Sequence, residues 1–482
     1  MDLKLMAMVG LVLVVGGMAM GAAAPGAVGA VPSKSQVAWQ RGELTMFLHF
    51  GVNTFTDREW GEGKEDPKIF NPTKLDAKHW AAAAKAGGFR MAILTAKHHD
   101  GFCLWPSKYT DHSVKSSPWK EGKGDVVREF VDAFRAEGMR VGLYLSPWDR
   151  HEKTYGDSAK YNDYYVNQLT ELLTEYGPIA EVWFDGACGE GPNGKKQVYD
   201  FPRFFGTVRK LQPEAVMFSD AGPEVRWIGN EAGVAGDPNW GTVDSKVWVE
   251  PGKAASGVRD PIQSLQHGNK GGDVWRAGES DVSIRPGWFW HKKEDGQVRS
   301  VGNLVDLYFK SVGRNSLLLL NVPPNTDGLL SEGDVKRLAE FKGKLDAIFK
   351  NDLAKGKKAK ASNVRGGDER FGAGKAVDGD VGTYWAVDDG AGECWIEVDL
   401  GKAEKFNVVA LQEGIELGQR VSKYRVEYWD GSAWKVASRG TTIGCKKLDR
   451  FNAVEGQKMR VVIEEAIGPV VISGVGVYYG DF

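Results

Sequence analysis

Ala180-Glu-Val-Trp-Phe-Asp-Gly186 is a short, mostly apolar run that ends in a carboxylate and is followed at once by a glycine. A buried strand looks like this where it delivers an acid to the rim of a sheet. Taken alone, the Asp-Gly pair reads first as the start of a turn. Its surroundings change that reading. Upstream, Leu44 to Val52, Phe89 to Ala96 and Arg140 to Ser146 have the same buried-strand character. Between them the spacing predicts helices over Thr73 to Ala86, capped by Thr73 and stopped by Gly87-Gly88, and over Asp125 to Glu137, with Val126, Phe130 and Phe134 four apart. A further helix spans Asn162 to Tyr176. Strands Ala215 to Ser219, Val225 to Gly229 and Ser316 to Asn321 follow, with a helix near Leu304 to Gly313. Strands alternating with helices over about 300 residues predict parallel βαβ units closed into a (β/α)8-like TIM barrel. Residues 233–300 read as irregular. In such a barrel catalytic side chains stand at the C-terminal ends of the strands, which makes Asp185 a candidate nucleophile.

The character changes after a helix at Glu332 to Lys350. Residues 351–360, rich in Lys, read as a linker. From 361 to 482, short alternating strands such as Trp395-Ile-Glu-Val-Asp-Leu400 and Val421 to Trp429 predict an all-β sandwich. At the other end, Leu5 to Met20 is apolar or glycine throughout and small residues follow to Ala30. Residues 1–30 therefore read as a secretory signal peptide cut between about 22 and 30, an uncleaved anchor being the alternative. The expected divisions are 1–30 leader, 31–350 barrel, 351–360 linker and 361–482 sandwich. The mature chain is expected to be secreted or periplasmic and free of the membrane.

The balance of 62 basic against 64 acidic residues offers no field for nucleic acid and no acidic tail. Seventeen Trp are many for 482 residues. Indole suits the flat apolar face of a sugar ring as well as a core. Four cysteines, at 103, 188, 394 and 445, match no metal motif. A Cys394–Cys445 disulfide is a matter for geometry, not spacing.

The chemistry-bearing side chains gather at expected strand ends. His49 closes the first strand and Glu59-Trp60 follow. His98-His99-Asp100 close the second. Tyr144 ends the third, and Trp183 and Asp185 the fourth. Imidazoles can donate to or accept from hydroxyls, and indoles can stack on sugars. Neighbouring histidines in a strand point to opposite faces, which argues against a shared zinc. A second carboxylate is best placed at Glu231, in Trp227-Ile-Gly-Asn-Glu231, between glycines; Asp220, Glu224, Asp237 and Glu250 compete. A retaining glycosidase needs two carboxyls about 5–5.5 Å apart.

Leu48-His-Phe-Gly-Val-Asn-Thr-Phe-Thr-Asp-Arg-Glu-Trp60, Ala96-Lys-His-His-Asp-Gly-Phe102, Gly142-Leu-Tyr-Leu-Ser146 and Val182-Trp-Phe-Asp-Gly186 together resemble the α-L-fucosidases of glycoside hydrolase family 29. The resemblance runs from about 40 to 350. It implies a retaining exo-glycosidase with Asp185 as nucleophile. The Trp-Ile-Gly-Asn-Glu pattern resembles the subfamily that cuts α-1,3/4-linked fucose on branched glycans, which carries the acid/base role onto Glu231. His49, Glu59, Trp60, His98, His99, Tyr144 and Trp183 match positions that line the fucose pocket, and Trp290 is carried over with them. The implied partner is a fucosylated oligosaccharide or glycoconjugate, and no cofactor is implied for catalysis. Ala376-Val-Asp-Gly-Asp380, Thr383-Tyr-Trp385 and Trp395 to Gly401 resemble an F5/8 type C (discoidin-like) jelly roll. That resemblance implies a structural calcium held by Asp378, Asp380 and Thr383, oxygen ligands of the type calcium prefers. Two competing expectations remain: a carbohydrate-binding protein without turnover, and a glycosidase of the same mechanism acting on another sugar or linkage.

Overall fold

The computed structural model describes residues 22–220, 222–245 and 261–482. Eight parallel strands close a barrel: β1 (Leu44–Leu48), β2 (Met91–Lys97), β3 (Arg140–Leu145), β4 (Glu181–Trp183), β5 (Val216–Ser219), β6 (Val225–Trp227), β9 (Ala277–Ser283) and β10 (Ser316–Asn321). A two-stranded ribbon, β7 (Thr242–Val243) with β8 (Val274–Trp275), stands apart. Round the barrel the order is β1-β10-β9-β6-β5-β4-β3-β2.

The helices are α1 (Lys34–Gln40), α2 (Val52–Thr56), α3 (Ala77–Ala86), α4 (Val126–Ala136), α5 (Ser158–Glu175), α6 (Phe201–Leu211), α7 (Pro261–His267), α8 (Val301–Lys310) and α9 (Glu332–Phe349). Asp76, not Thr73, caps α3: its carboxylate accepts from Lys78 N–H, while the Thr73 hydroxyl donates to Asp327. Asp125 and Ser300 cap α4 and α8 in the same way. The fifth unit departs from the (β/α)8 plan. Only Asp220 to Glu224 separate β5 from β6, too few for a helix, and the strands pair with Phe218 opposite Val225.

Side chains alternate across each strand. Phe47, Ile93, Tyr144, Trp183, Phe218 and Leu319 point inward and pack as the barrel's filling, which Trp39 of α1 joins. Met46, Leu94, Leu143, Val182 and Leu318 point outward into the shell beneath the helices. Truncating one of these fully buried residues to Ala costs about 2–5 kcal/mol.

The C-terminal domain is an antiparallel sheet of β11 (Lys358–Ala361), β12 (Trp385–Ala386), β13 (Cys394–Glu413), β14 (Val421–Trp429), β15 (Trp434–Gly440), β16 (Lys447–Ala466) and β17 (Val471–Tyr478). Bulges break the β13–β16 register between Asp399 and Glu404 and again between Phe406 and Val408. Such bulges bend long strands, and the sheet folds round its own core of Trp385, Ile396, Phe406, Leu411, Tyr424 and Met459. The stretch expected as a linker is built into this domain. Leu353 N–H donates to Val477 O at 2.8 Å, Ala354 is fully buried, and Lys358 begins β11. All four cysteines carry free thiols. Cys394 lies in the sandwich core and Cys445 in a separate cluster with Trp275, so no bridge joins them.

The two domains meet through main chain and ions. Leu448 N–H donates to Gly313 O at 3.0 Å, Gly241 N–H to Gln419 Oε1 at 2.7 Å, and Lys447 pairs with Asp237 at 2.6 Å. Of the leader expected over 1–30, residues 1–21 lie outside the described residues, and 22–30 pack against the sandwich.

Candidate active site

A cavity of about 150 Å³ opens at the C-terminal mouth of the barrel. Phe47 and Trp183 line it from inside, with His49, His98, His99, Asp185 and Glu231 around the rim. Glu59 and Trp60 reach it from the loop after α2. The strand ends converge here, so residues 182 positions apart in the chain share one cleft.

Asp185 stands two residues beyond β4 and is held at both oxygens. Tyr144 Oη donates to Oδ2 at 3.0 Å, and Ala187 N–H donates to Oδ1 at 2.7 Å. Burial and the Asp185 charge push the Tyr144 phenol well above its usual range, so it remains a donor. The adjoining glycine has a steric reason. A Cβ on Gly186 would stand 1.9 Å from Asp220 Oδ2 and 2.2 Å from its Cγ. Burial, with Asp185 beside it, raises the Asp220 carboxyl to about 7.

The histidines are neutral, and hydrogen-bond partners fix the tautomers of His49 and His99. Asn321 Nδ2 donates to Trp288 O at 2.7 Å and to Ser283 Oγ at 2.9 Å. Its Oδ1 therefore accepts from His49 Nδ1 at 2.9 Å, which leaves Nε2 of His49 as an acceptor. Burial lowers the His49 imidazole to about 4. Ser146 Oγ donates to Trp148 O at 2.7 Å and so accepts from His99 Nδ1, also at 2.7 Å. His99 Nε2 then faces Asp185 Oδ2 at 3.9 Å. Burial also lowers His99, and burial with its histidine neighbours lowers His98. The two adjacent histidines do share one cleft, with ring centroids 4.0 Å apart. They stand beyond the last residue of β2, where strand alternation no longer applies.

Glu59 anchors a loop rather than standing free. It accepts from Trp288 N–H at 2.7 Å, Phe289 N–H at 3.2 Å and His291 Nε2 at 2.6 Å. His291 bonds Asp57 through Nδ1 at 2.6 Å. Burial opposes its charge, but the two carboxylates raise its pKa. Trp60 is 56 % exposed and sets its edge against His99 and Trp148. It forms an outer aromatic wall.

Glu231 lies in the loop after β6. Asn230 braces that loop, accepting from Ala232 N–H at 3.1 Å and donating to Val234 O at 3.0 Å. Trp288 Nε1 donates to Glu231 Oε2 at 3.2 Å. Trp288, not Trp290, lines the cavity. Trp290 turns away and donates to Ser331 Oγ at 3.1 Å and Asp295 Oδ1 at 3.2 Å. The backbone bends through Gly287-Trp-Phe-Trp290 instead of running as a strand, so the two indoles, two residues apart, do not share a face, and the bare motif does not say which one enters the site. Of the competing acids, Glu224 pairs with Arg209, Asp237 pairs with Lys447, and Glu250 lies outside the described residues.

Two further residues were not legible as site residues. Asn321 orients His49. Asp281 lines the cavity from β9 and accepts from Trp227 Nε1 at 2.8 Å. Burial, then the Glu231 and Asp185 charges, push its carboxyl well above the usual range. β9 reads Ala-Gly-Glu-Ser-Asp-Val-Ser, and its acids disguise a fully buried strand.

Among the described residues no group of three or more His, Cys, Asp or Glu is gathered to hold a metal. In the Asp378–Thr383 loop the carboxylates serve the loop itself. Asp378 accepts from Asp380 N–H and from the Thr383 hydroxyl, both at 2.8 Å, and Asp380 accepts from Gly382 N–H at 2.8 Å. Calcium takes six to eight oxygens, and this turn does not assemble them.

Known proteins share this arrangement. The α-L-fucosidase family model matches residues 30–345, and the F5/8 type C domain model matches 358–473. Putative alpha-L-fucosidase 1 of Oryza sativa subsp. japonica is 48% identical over 455 residues, covering 94% of this chain and 86% of that protein. Alpha-L-fucosidase 1 of Arabidopsis thaliana is 47% identical over 456 residues, covering 94% and 88%. A family 29 fucosidase of Ruminococcus gnavus, solved in complex with fucose, superposes with a TM-score of 0.87 at 38% identity, covering 96% of this chain and 97% of that one. A barrel whose mouth gathers four carboxyl groups and three neutral histidines, backed by these matches along nearly its whole length, makes this chain a member of the α-L-fucosidase family of glycoside hydrolases, carrying an F5/8 type C domain behind its catalytic barrel.

Proposed function

We propose that the protein is a retaining exo-α-L-fucosidase acting on α-1,3/4-linked fucose of branched glycans, with Asp185 as nucleophile and Glu231 as acid and then base. The carrying observation is that both carboxylates line one cavity of about 150 Å³ walled by neutral histidines. The Tyr144 hydroxyl and the Ala187 N–H aim the Asp185 carboxylate. Asp185 attacks the anomeric carbon while Glu231 protonates the departing oxygen. The glycosyl ester on Asp185 is then cleaved by water that Glu231 deprotonates, and configuration is retained. Uncharged imidazoles at His49, His98 and His99 offer hydrogen bonds to fucose hydroxyls without a cation that would repel the positive charge growing at the anomeric carbon. The Trp-Ile-Gly-Asn-Glu231 loop supports the linkage preference, and the apolar stretch from Leu5 to Met20 supports secretion.

The test is fucose release from Lewis-type trisaccharides, 2′-fucosyllactose and an aryl fucoside, with the anomer of the first product followed by proton NMR. Release of the α-anomer from the branched substrates is expected, with silence from 2′-fucosyllactose. In Asp185→Ala turnover should vanish, and azide should partly restore aryl fucoside cleavage. A β-anomer first product rules out the glycosyl-enzyme route, and equal rates on all substrates rule out the linkage reading. The calcium expectation for Asp378, Asp380 and Thr383 is tested by melting with and without EDTA. A turn closed by its own hydrogen bonds should melt at the same temperature in both.

A further inference from the structure

Residues 22–32 do not hang free of the fold. Ala22 N–H donates to Asp368 Oδ2 at 3.1 Å, and Arg370 Nη2 donates to Ala22 O at 2.8 Å. Arg365 Nε donates to Ala23 O at 2.7 Å, and Arg420 Nη2 to Gly26 O at 2.7 Å. Val28 N–H donates to Leu417 O at 2.9 Å. Val28 also occupies a notch that side chains would close: a Cβ on Gly418 would stand 2.1 Å from Val28 O, and one on Gly468 would stand 2.8 Å from Val28 Cγ2. From Ser33 the chain enters α1, whose Trp39 packs with the barrel's filling. The segment is thus a strap from the sandwich to the barrel, and three arginines of the sandwich are committed to its carbonyls.

We propose that the leader is cut between Gly21 and Ala22, and that Asp368 binds the α-ammonium group freed on Ala22. This rests on the secretory reading above. The step is hydrolysis by a signal peptidase. Water adds across the Gly21–Ala22 peptide bond, the carboxylate leaves with Gly21, and the amine stays on Ala22 and takes a proton. Ala19 and Gly21 supply the small residues that such a cut requires one and three positions before it. The other small-residue sites are poorer fits to the structure. A cut after Ala23 or Ala24 discards the partners of Asp368, Arg370 and Arg365. A cut after Ala30 discards all five hydrogen bonds and empties the Val28 notch.

Asp368 suits the role. Its hydrogen bonds from Arg370, then from backbone N–H groups, hold its carboxyl down at about 2, so it is charged throughout the working range. The other charged groups nearby are spoken for, Arg365 by Asp389 and Asp388 by Gly366 N–H and Asn363. A free α-amino group titrates near 7.7–8.0, and a carboxylate partner raises that value in the folded state. The clamp's contribution is then complete below about pH 7.7 and is lost as pH rises through the raised value.

The experiment expresses the whole chain with its own leader in a secreting host and reads the exported protein by intact mass and N-terminal sequencing. A start at Ala22 is expected. A start at Ala24, Pro25 or Val31 overturns the cut while leaving secretion standing, whereas a full-length, membrane-retained chain overturns secretion as well. The second arm compares exported protein with its Asp368→Asn variant by melting. The variant should melt about 1–2 °C lower at pH 6, and the difference should shrink as pH rises to about 10, where only the part due to Arg370 remains. A difference that does not change with pH, or none at pH 6, overturns the ammonium contact.

Discussion

Gly186→Ala tests the steric account of the position of Asp185. The new methyl would lie 1.9 Å from Asp220 Oδ2, whereas real Cβ contacts do not fall below 3.0 Å. At least about 1.1 Å must be found between two groups that have little room. Asp220 is a short, half-buried side chain, and Gly186 is bonded directly to Asp185. A misplacement of about 1 Å at a reacting group costs on the order of 10²-fold in rate. The expectation is a kcat on an aryl fucoside reduced about 100-fold, with KM changed far less. Adding Asp220→Ala reopens the space and should return at least about tenfold of the loss, a coupling of roughly 1.4 kcal/mol that distant, independent sites do not show. Melting curves of the four proteins separate this from unfolding. Gly186→Ala at wild-type kcat, or a double variant no better than the single one, would falsify the clash as the reason for this glycine.

Other outcomes follow from the same geometry. Tyr144→Phe removes a hydrogen bond to the Asp185 carboxylate, and bonds to charged groups contribute about 1.5–3 kcal/mol; kcat/KM should fall roughly 10- to 150-fold in steady-state assays while Tm holds. Trp288→Ala should raise KM and weaken fucose binding, because its indole touches Glu231 and the cavity; Trp290→Ala should leave both within about twofold and show only in Tm, and the reverse pattern restores Trp290 to the pocket. The three imidazoles, followed by their ring-proton NMR shifts in the free protein, should protonate only on the acid side of the usual histidine value, His49 near pH 4 and His98 and His99 held below 6.5 by burial; imidazoles that titrate at or above 6.5 refute the neutral wall.

Most of the barrel was legible because its first four units obey simple periodicities. Apolar strands alternate with helices whose caps and glycine stops are local, and Asp185 could be placed at a strand end from seven residues. The second half hid for physical reasons. β6 follows β5 without a helix, so the βαβ rhythm fails where the Glu231 loop begins. β9 carries Glu279 and Asp281 on its inward face, and a pattern search for apolar strands passes over it. Trp288 was confused with Trp290 because orientation depends on Glu59 holding the backbone of 288 and 289, a contact across 229 residues of sequence. The apparent linker at 351–360 misled for the opposite reason: its lysines point outward from a segment whose main chain is paired.

The acids inside the barrel also say something about how the site is supported. An ionised carboxylate taken out of water costs far more than any one contact returns, so buried acids are protonated or receive strong donors. Here each has an indole N–H: Trp39 to Glu181 and Trp183 to Glu279, both at 2.7 Å, and Trp227 to Asp281 at 2.8 Å. Burial raises both Glu181, to about 7, and Glu279, and Glu181 Oε1 and Glu279 Oε2 have no hydrogen-bond partner among the described residues. The Trp39–Glu181 and Glu279–Trp183 pairs form a polar column in the barrel's filling, and Glu279 holds an indole that lines the cavity two residues from Asp185. An apolar filling would pack at less electrostatic cost, but it would give the Trp183 N–H no acceptor. The barrel's interior is polar along this one column because the position of Trp183, and through it the strand end that carries Asp185, depends on it.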